Sequence, residues 1–324
     1  MDLSTIMTLG QTTLELGLIY SLTTLALFLS YTMLNVCDLS TNGCYTLGAA
    51  VGAVVALAGH PFLSIPMAML AGCCSGFVTA ILQTKMGIDS LLAGIIVDTG
   101  LYSINIAVMG GASLLNMNKT TTIFTMMKGL LEGTPLEDYY VLIVAFIAVV
   151  LVVLFLNIFL KTRLGLAIRA TGNNPDMVKS SSINPAFTTI VGLCVANAFT
   201  GLSGCLMAQS AKQVEIQIGN GMVTIALASL LIGGTIVMKG SILLRATSVV
   251  VGSIIFRLVY AVALRFHMPA FMLRFVSSVI VILAIAGPYL KSQWPQIKRR
   301  MTYRKMQSQR KASAKAANAQ KGGR

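Results

Sequence analysis

Charge is scarce in this chain: of 324 residues only 10% are Asp, Glu, Lys or Arg, against 56% hydrophobic. A soluble protein of this length needs charge to cover its outside, so a water-soluble globule is excluded. Histidine is nearly absent, with only His60 and His267, each near a proline at an expected loop. The six cysteines (Cys37, Cys44, Cys73, Cys74, Cys194, Cys205) show no metal-ligand spacing. They read as small buried hydrophobes. A metal site and a His-dependent catalytic site are therefore not expected. The GxxxxGK[S/T] loop that cradles nucleotide phosphates is missing, and no nucleophile, base and orienting group form a set. The chain is accordingly not read as an enzyme, and it has no catalytic residues and no cofactor of its own.

What is present is long apolar segments, too long for strands. In lipid every backbone polar group must be bonded within its own segment, so these segments read as transmembrane helices. The fold class expected is an all-α membrane protein, a polytopic bundle of about nine helices (eight to ten). Spans are expected near 14–35, 45–60, 62–83, 88–109, 139–160, 188–208, 221–238, 241–264 and 270–290. The 45–60 and 221–238 segments are short and suggest discontinuous or re-entrant helices. The start lacks a basic stretch and a cleavage site, so the first helix reads as retained.

Net charge is +14, but eleven of the 24 Lys and Arg lie between Lys291 and Arg324, where no acid occurs. That pattern is a topology signal and a contact for anionic lipid, not a nucleic-acid surface. With the tail inside, counting back through nine spans puts the 161–187 loop inside with Lys161, Arg163, Arg169 and Lys179. The 110–138 loop and the N-terminus then lie outside, and the C-terminus is cytoplasmic. Residues 1–290 form one transmembrane domain, and 291–324 a basic tail expected to be disordered.

Polar breaks in apolar helices carry the functional signal. The first runs from Asn35 through Asp38, Ser40 and Asn42 to Gly43. An Asp at membrane depth is retained where it faces a cavity or caps a helix, and either role suits Asp38. Asp98 sits mid-span, as a proton-relay acid or as a buried carboxyl bonded to Thr99 and Ser103. In the 161–187 loop, Asn174 is a good N-cap, Pro175 fits the first helical position and Asp176 complements the helix dipole. A short helix near 174–184 on the cytoplasmic face follows, suited to docking a soluble partner.

Several blocks, in order, resemble the permease subunits of bacterial ABC importers in the branched-chain amino acid and ribose permease family. They are Asp38-Leu39-Ser40 with Gly43; Gly76-Phe77 through Lys85-Met86-Gly87-Ile88; Arg169-Ala170-Thr171-Gly172-Asn173-Asn174-Pro175 through Ser182-Ile183-Asn184; and Ile225-Ala226 through Gly233-Gly234-Thr235 and Lys239-Gly240-Ser241. Asn35-Val36-Cys37, Ser181 and Asp98 depart from the pattern. The resemblance implies a multi-pass protein of the bacterial cell membrane, paired with a second permease copy as a homodimer. It further implies an ATPase subunit that binds ATP and magnesium, and an extracytoplasmic substrate-binding protein. Arg169, Gly172, Asn173, Asn174, Pro175, Asp176, Met177, Lys179 and Ser180 would couple to the ATPase. Asn35, Asp38, Ser40, Asn42, Asp98 and Asn105 would line the translocation pathway. Leu101-Tyr102-Ser103-Ile104-Asn105 is reminiscent of a subgroup paired with aromatic amino acid binding proteins, so an amino acid, aromatic or branched-chain, is the expected solute. The alternative is a proton-coupled secondary transporter that uses Asp98.

Overall fold

The structure, a computed structural model, describes residues 3–265 apart from 135, 238 and 239, and the isolated helical positions Phe275, Ser278, Val279, Ile282 and Ala286. The described chain is mostly helical. Its helices are α1 (Leu3–Leu27), α2 (Thr41–Leu57), α3 (Pro61–Thr84), α4 (Ser90–Val108), α5 (Ile123–Leu131), α6 (Tyr140–Phe159), α7 (Arg163–Asn173), α8 (Pro175–Ser180), α9 (Pro185–Ala211), α10 (Met222–Ile236) and α11 (Ile242–Arg265). Two three-residue strands, β1 (Leu114–Asn116) and β2 (Gln213–Glu215), pair antiparallel with Leu115 opposite Val214. The ribbon was not expected from the sequence, because its strands are a hundred residues apart and too short to show alternation.

Local chemistry sets many of the helix ends. Pro61, Pro175 and Pro185 each stand at the start of a helix, where a missing N–H leaves nothing unbonded. Asp89 accepts the Leu91 N–H at 2.9 Å to begin α4. Thr122 and Thr125 exchange hydrogen bonds in a capping box that begins α5.

Among the described residues, six helical segments are long and apolar enough to cross a membrane: Thr8–Met33, Pro61–Thr84, Ser90–Val108, Glu137–Phe159, Pro185–Ala211 and Ile242–Ala263. The two short segments anticipated from the sequence, α2 and α10, fall below that length at 17 and 15 residues. The ninth expected span falls almost wholly outside the described residues, and the tail after 290 wholly so.

Of the six, α1 and α9 are the inner helices, with 78% and 67% of their windows buried against 28–33% for the others. Helix α9 packs on α3, α2, α1 and α7, while α11 packs on α1 and α10. Small residues permit the closest approach. A side chain at Gly48 of α2 would collide with the Gly201 backbone of α9. The outer faces stay apolar, as on α6 with exposed Phe146, Leu151, Leu154 and Ile158. Water would not tolerate such a surface, and lipid requires it.

A buried amide ties the 109–139 connection to this core. The Gln209 Oε1 of α9 accepts the Ile123 N–H at 2.9 Å, and its Nε2 donates to Ser64 Oγ at 2.6 Å. Gln209→Leu strands the first N–H of α5 in an apolar setting and removes the donor to Ser64 Oγ, whose own hydrogen still goes to the Pro61 carbonyl. We expect it to lower stability by about 1–3 kcal/mol. Limited proteolysis of purified protein in detergent should show earlier cleavage between residues 112 and 134, with cutting elsewhere unchanged.

Candidate functional site

The polar break lies between α1 and α2. Helix α1 ends in a wide π-helical turn over Phe28–Met33, and the chain is non-helical until Ser40. Asn35 stands at φ +56° and is exposed, in the left-handed region that Asn tolerates better than most residues. Asp38 is only 1% exposed. Its Oδ1 accepts the Ser40 N–H at 2.8 Å and the Ser40 hydroxyl at 2.6 Å, and its Oδ2 accepts Asn197 Nδ2 of α9 at 2.7 Å. The Thr79 hydroxyl of α3 donates in turn to Ser40 Oγ at 3.2 Å. One carboxylate thus fastens the unwound segment to α9 and, through Ser40, to α3.

Asn42 does not cap its own helix. Its Oδ1 accepts the Val223 N–H at 3.0 Å, in the first turn of α10. The residue at that helix's N-cap is Gly221, with φ +87° and no side chain, so Asn42 caps α10 from across the bundle. Thr46 adds a second clasp, accepting the Gly219 N–H at 3.2 Å. The two short helices therefore begin beside each other, and both positive dipole ends are turned to one region.

Helix α4 closes this region from another side. Asp98 Oδ1 accepts the Gly43 N–H at 2.6 Å, and Asn105 Nδ2 donates to the Gly43 carbonyl at 3.1 Å. Two side chains seven residues apart thus hold both backbone groups of one glycine. The neighbouring hydroxyls are not the partners of Asp98, since Thr99 donates to the Ile95 carbonyl at 2.8 Å. Asp98 is half-buried and Tyr102, one turn along, is exposed. Of the polar positions singled out in the sequence, Ser40, Asn42, Asp98 and Asn105 meet around the first turn of α2. Asn35 stands apart on the surface. Asn197, the long-range partner of Asp38, escaped sequence reasoning; an Asn within an apolar helix was the available signal.

The connection between α6 and α9 holds two helices, one more than expected. The Thr162 hydroxyl accepts the Gly165 N–H at 3.2 Å to begin α7, and Thr171 meets Thr188 of α9 at 2.8 Å between hydroxyls. In α8, Asn174 Oδ1 accepts the N–H groups of Asp176 and Met177, both at 3.1 Å. Asp176 and Lys179 pair at 3.3 Å in full exposure, Met177 is 67% exposed, and Val178 anchors the helix inward. Arg169 is half-buried on α7, while Asn173, Pro175 and Ser180 are exposed. Gly172 joins this connection to the break. A Cβ there would strike the Met33 carbonyl oxygen and come within 2.9 Å of Leu34 Cα.

Residues 11–285 match the family described as branched-chain amino acid transport system / permease component. The chain belongs to that family. It is similar to the tyrosine transport system permease protein of Clostridioides difficile, with 36% identity over 69% of this chain and 72% of that one. It also resembles the "Probable branched-chain amino acid transport permease protein" of Methanocaldococcus jannaschii (24%, covering 70% and 75%) and the D-allose transport system permease protein of Escherichia coli (27%, covering 63% and 60%). No solved structure matches the chain. As a permease component of an ABC transport system, it is a transporter component with membrane-spanning helices, and the proton-driven reading of Asp98 gives way to this one.

Replacing Asp38 by Ala leaves an Asn197 N–H and the Ser40 donors facing an apolar gap. A loss of about 1.5–3 kcal/mol is expected. Thermal aggregation followed by size-exclusion chromatography should show Asp38→Ala melting below wild type, with Asp38→Asn between them.

Proposed function

We propose that this permease is a nine-span subunit of an ATP-driven importer of an amino acid, with its N-terminus outside and its C-terminus in the bacterial cytoplasm. Two copies pair in the cell membrane, two ATPase chains bind ATP and magnesium beneath them, and a substrate-binding protein delivers the solute from outside. The names of the similar tyrosine and branched-chain amino acid permeases support an aromatic or branched-chain solute. The exposed Tyr102 beside Asp98 suits the aromatic choice.

The contact of Gly172 with Met33 and Leu34 carries the reading. Helix α8, with its exposed Met177 and Asp176–Lys179 pair, seats in the ATPase. The segment from Arg169 through Gly172, Asn173, Asn174 and Pro175 to Ser180 passes the ATPase's motion to the end of α1. The break at Asn35, Asp38, Ser40 and Asn42 begins there, and with Asp98 and Asn105 it forms the wall of the translocation pathway. ATP binding therefore biases a two-state element at the pathway through one packed glycine. The anionic lipid of the inner leaflet holds the basic tail.

Gly172→Val forces α7 away from Met33, and Asp176→Lys turns the pair on α8 into a repulsion. Both variants should insert at normal levels. Reconstituted with ATPase and binding protein, they should import L-tyrosine at less than about a tenth of the wild-type rate while ATP is still hydrolysed. Wild-type ratios of transport to ATP turnover in both would refute the coupling route, and failure of any ATPase chain to copurify would refute the importer.

A further inference from the structure

Arg257 lies well inside α11, about 22 Å from its start and about 12 Å from its end at 1.5 Å per residue. Its face is fixed by its neighbours. One turn earlier, the Ser253 hydroxyl donates to the Gly17 carbonyl of α1 at 2.9 Å, and Ile254 crowds Gly17 so closely that a Cβ there would lie 3.1 Å from Ile254 Cα. Residues four apart share a helix face, so Arg257 is turned toward α1 and not toward lipid. The lipid-side face carries Val251, Ile255, Leu258 and Val262 instead, all exposed. Arg245 differs, since it sits in the first turn of α11, over the Phe28 ring, within reach of the membrane boundary.

Two tyrosines grip the Arg257 guanidinium. Its Cζ lies 4.9 Å from the Tyr20 ring centroid and 5.0 Å from that of Tyr260. Ring faces attract the cation but do not accept its in-plane N–H groups. Among the described residues Arg257 has no ion pair and no hydrogen bond. Glu15, the acid on α1, is engaged by Gln11 Nε2 at 2.9 Å. A guanidinium this far from the helix ends, with no acceptor for its donors among the described residues, is a half-made oxyanion site. The same rings lead toward the break: the Tyr20 centroid lies 6.5 Å from that of Tyr45, two residues past the Gly43 that Asp98 holds.

We propose that Arg257, clamped between Tyr20 and Tyr260, receives the carboxylate of the carried solute as it passes through the permease. The proposal rests on the amino acid reading above, since a carboxylate is the solute group that answers a guanidinium most strongly. A lipid phosphate offers the same chemistry. The turn of Arg257 toward α1, and its ring-to-ring connection through Tyr20 to Tyr45 of α2, favour the solute.

The test uses the whole importer in vesicles, with L-tyrosine as probe. Arg257→Gln should lower uptake by more than about tenfold while ATP hydrolysis stimulated by the loaded binding protein stays near wild type. Arg257→Lys, which keeps the charge but loses the planar fork, should recover part of the uptake at a raised KM. Should the Gln variant fail to assemble, the Lys variant decides: a raised KM supports the assignment and an unchanged one overturns it. Unaltered uptake by Arg257→Gln also overturns it. So does a loss seen only in vesicles containing phosphatidylglycerol and absent in phosphatidylcholine alone, which assigns the site to lipid. Wild-type importer that hydrolyses ATP yet carries no amino acid would instead refute the amino acid reading, and this assignment with it.

Discussion

A carboxyl group sealed inside an apolar bundle is tolerated only when donors answer its oxygens, and both oxygens of Asp38 are answered. Donors from Ser40 and Asn197 converge on it from the chain's own turn and from the innermost part of α9. Without it, residues 34–40 would have no reason to stay unwound, because helix is the cheapest way to satisfy a backbone in lipid. With it, the chain can interrupt a helix at depth, and the interruption makes room for other parts. Helix α2 begins late, α10 begins beside it, and α4 brings Asp98 and Asn105 to the same glycine.

The arrangement also explains why so small a chain is rich in glycine, serine and threonine at its centre. Backbones approach closely, and hydroxyls such as those of Ser203 and Thr200 return to a carbonyl of a neighbouring helix or of their own. Such packing has few intermediate positions. A side chain at Gly172 would have to displace the Met33 carbonyl, so the proposed coupling route runs through a contact with little slack.

Local chemistry made much of this legible in the sequence. Asn174-Pro175-Asp176 specified α8 because a cap, a proline and an acid each act within one turn, and the short lengths of α2 and α10 follow from where apolar residues stop. The polar run from Asn35 to Gly43 marked the break for the same reason. Contacts across long stretches of chain were not legible. Nothing near Asn42 in sequence says that it caps α10, and nothing near Asp38 points to Asn197, 159 residues away. The helix α7 was hidden because Gly165, Gly172, Arg163 and Arg169 interrupt its eleven residues, and the β1–β2 ribbon because three residues carry no period. Arg257 looked like one base among 24 until its face on α11 was known.

The ribbon has a mechanical meaning. Gln213–Glu215 leave α9 with only Lys212 between them, and they are stitched to Leu114–Asn116, while Gln209 grips the start of α5 from within α9 itself. The segment 114–131 is thus bolted to α9 at two separate points and rides with it as one piece. Any sliding or tilting of the central helix during a transport cycle would appear at the far end of the bundle as a displaced α5, a lever arm whose pivot is the same helix that Asp38 holds.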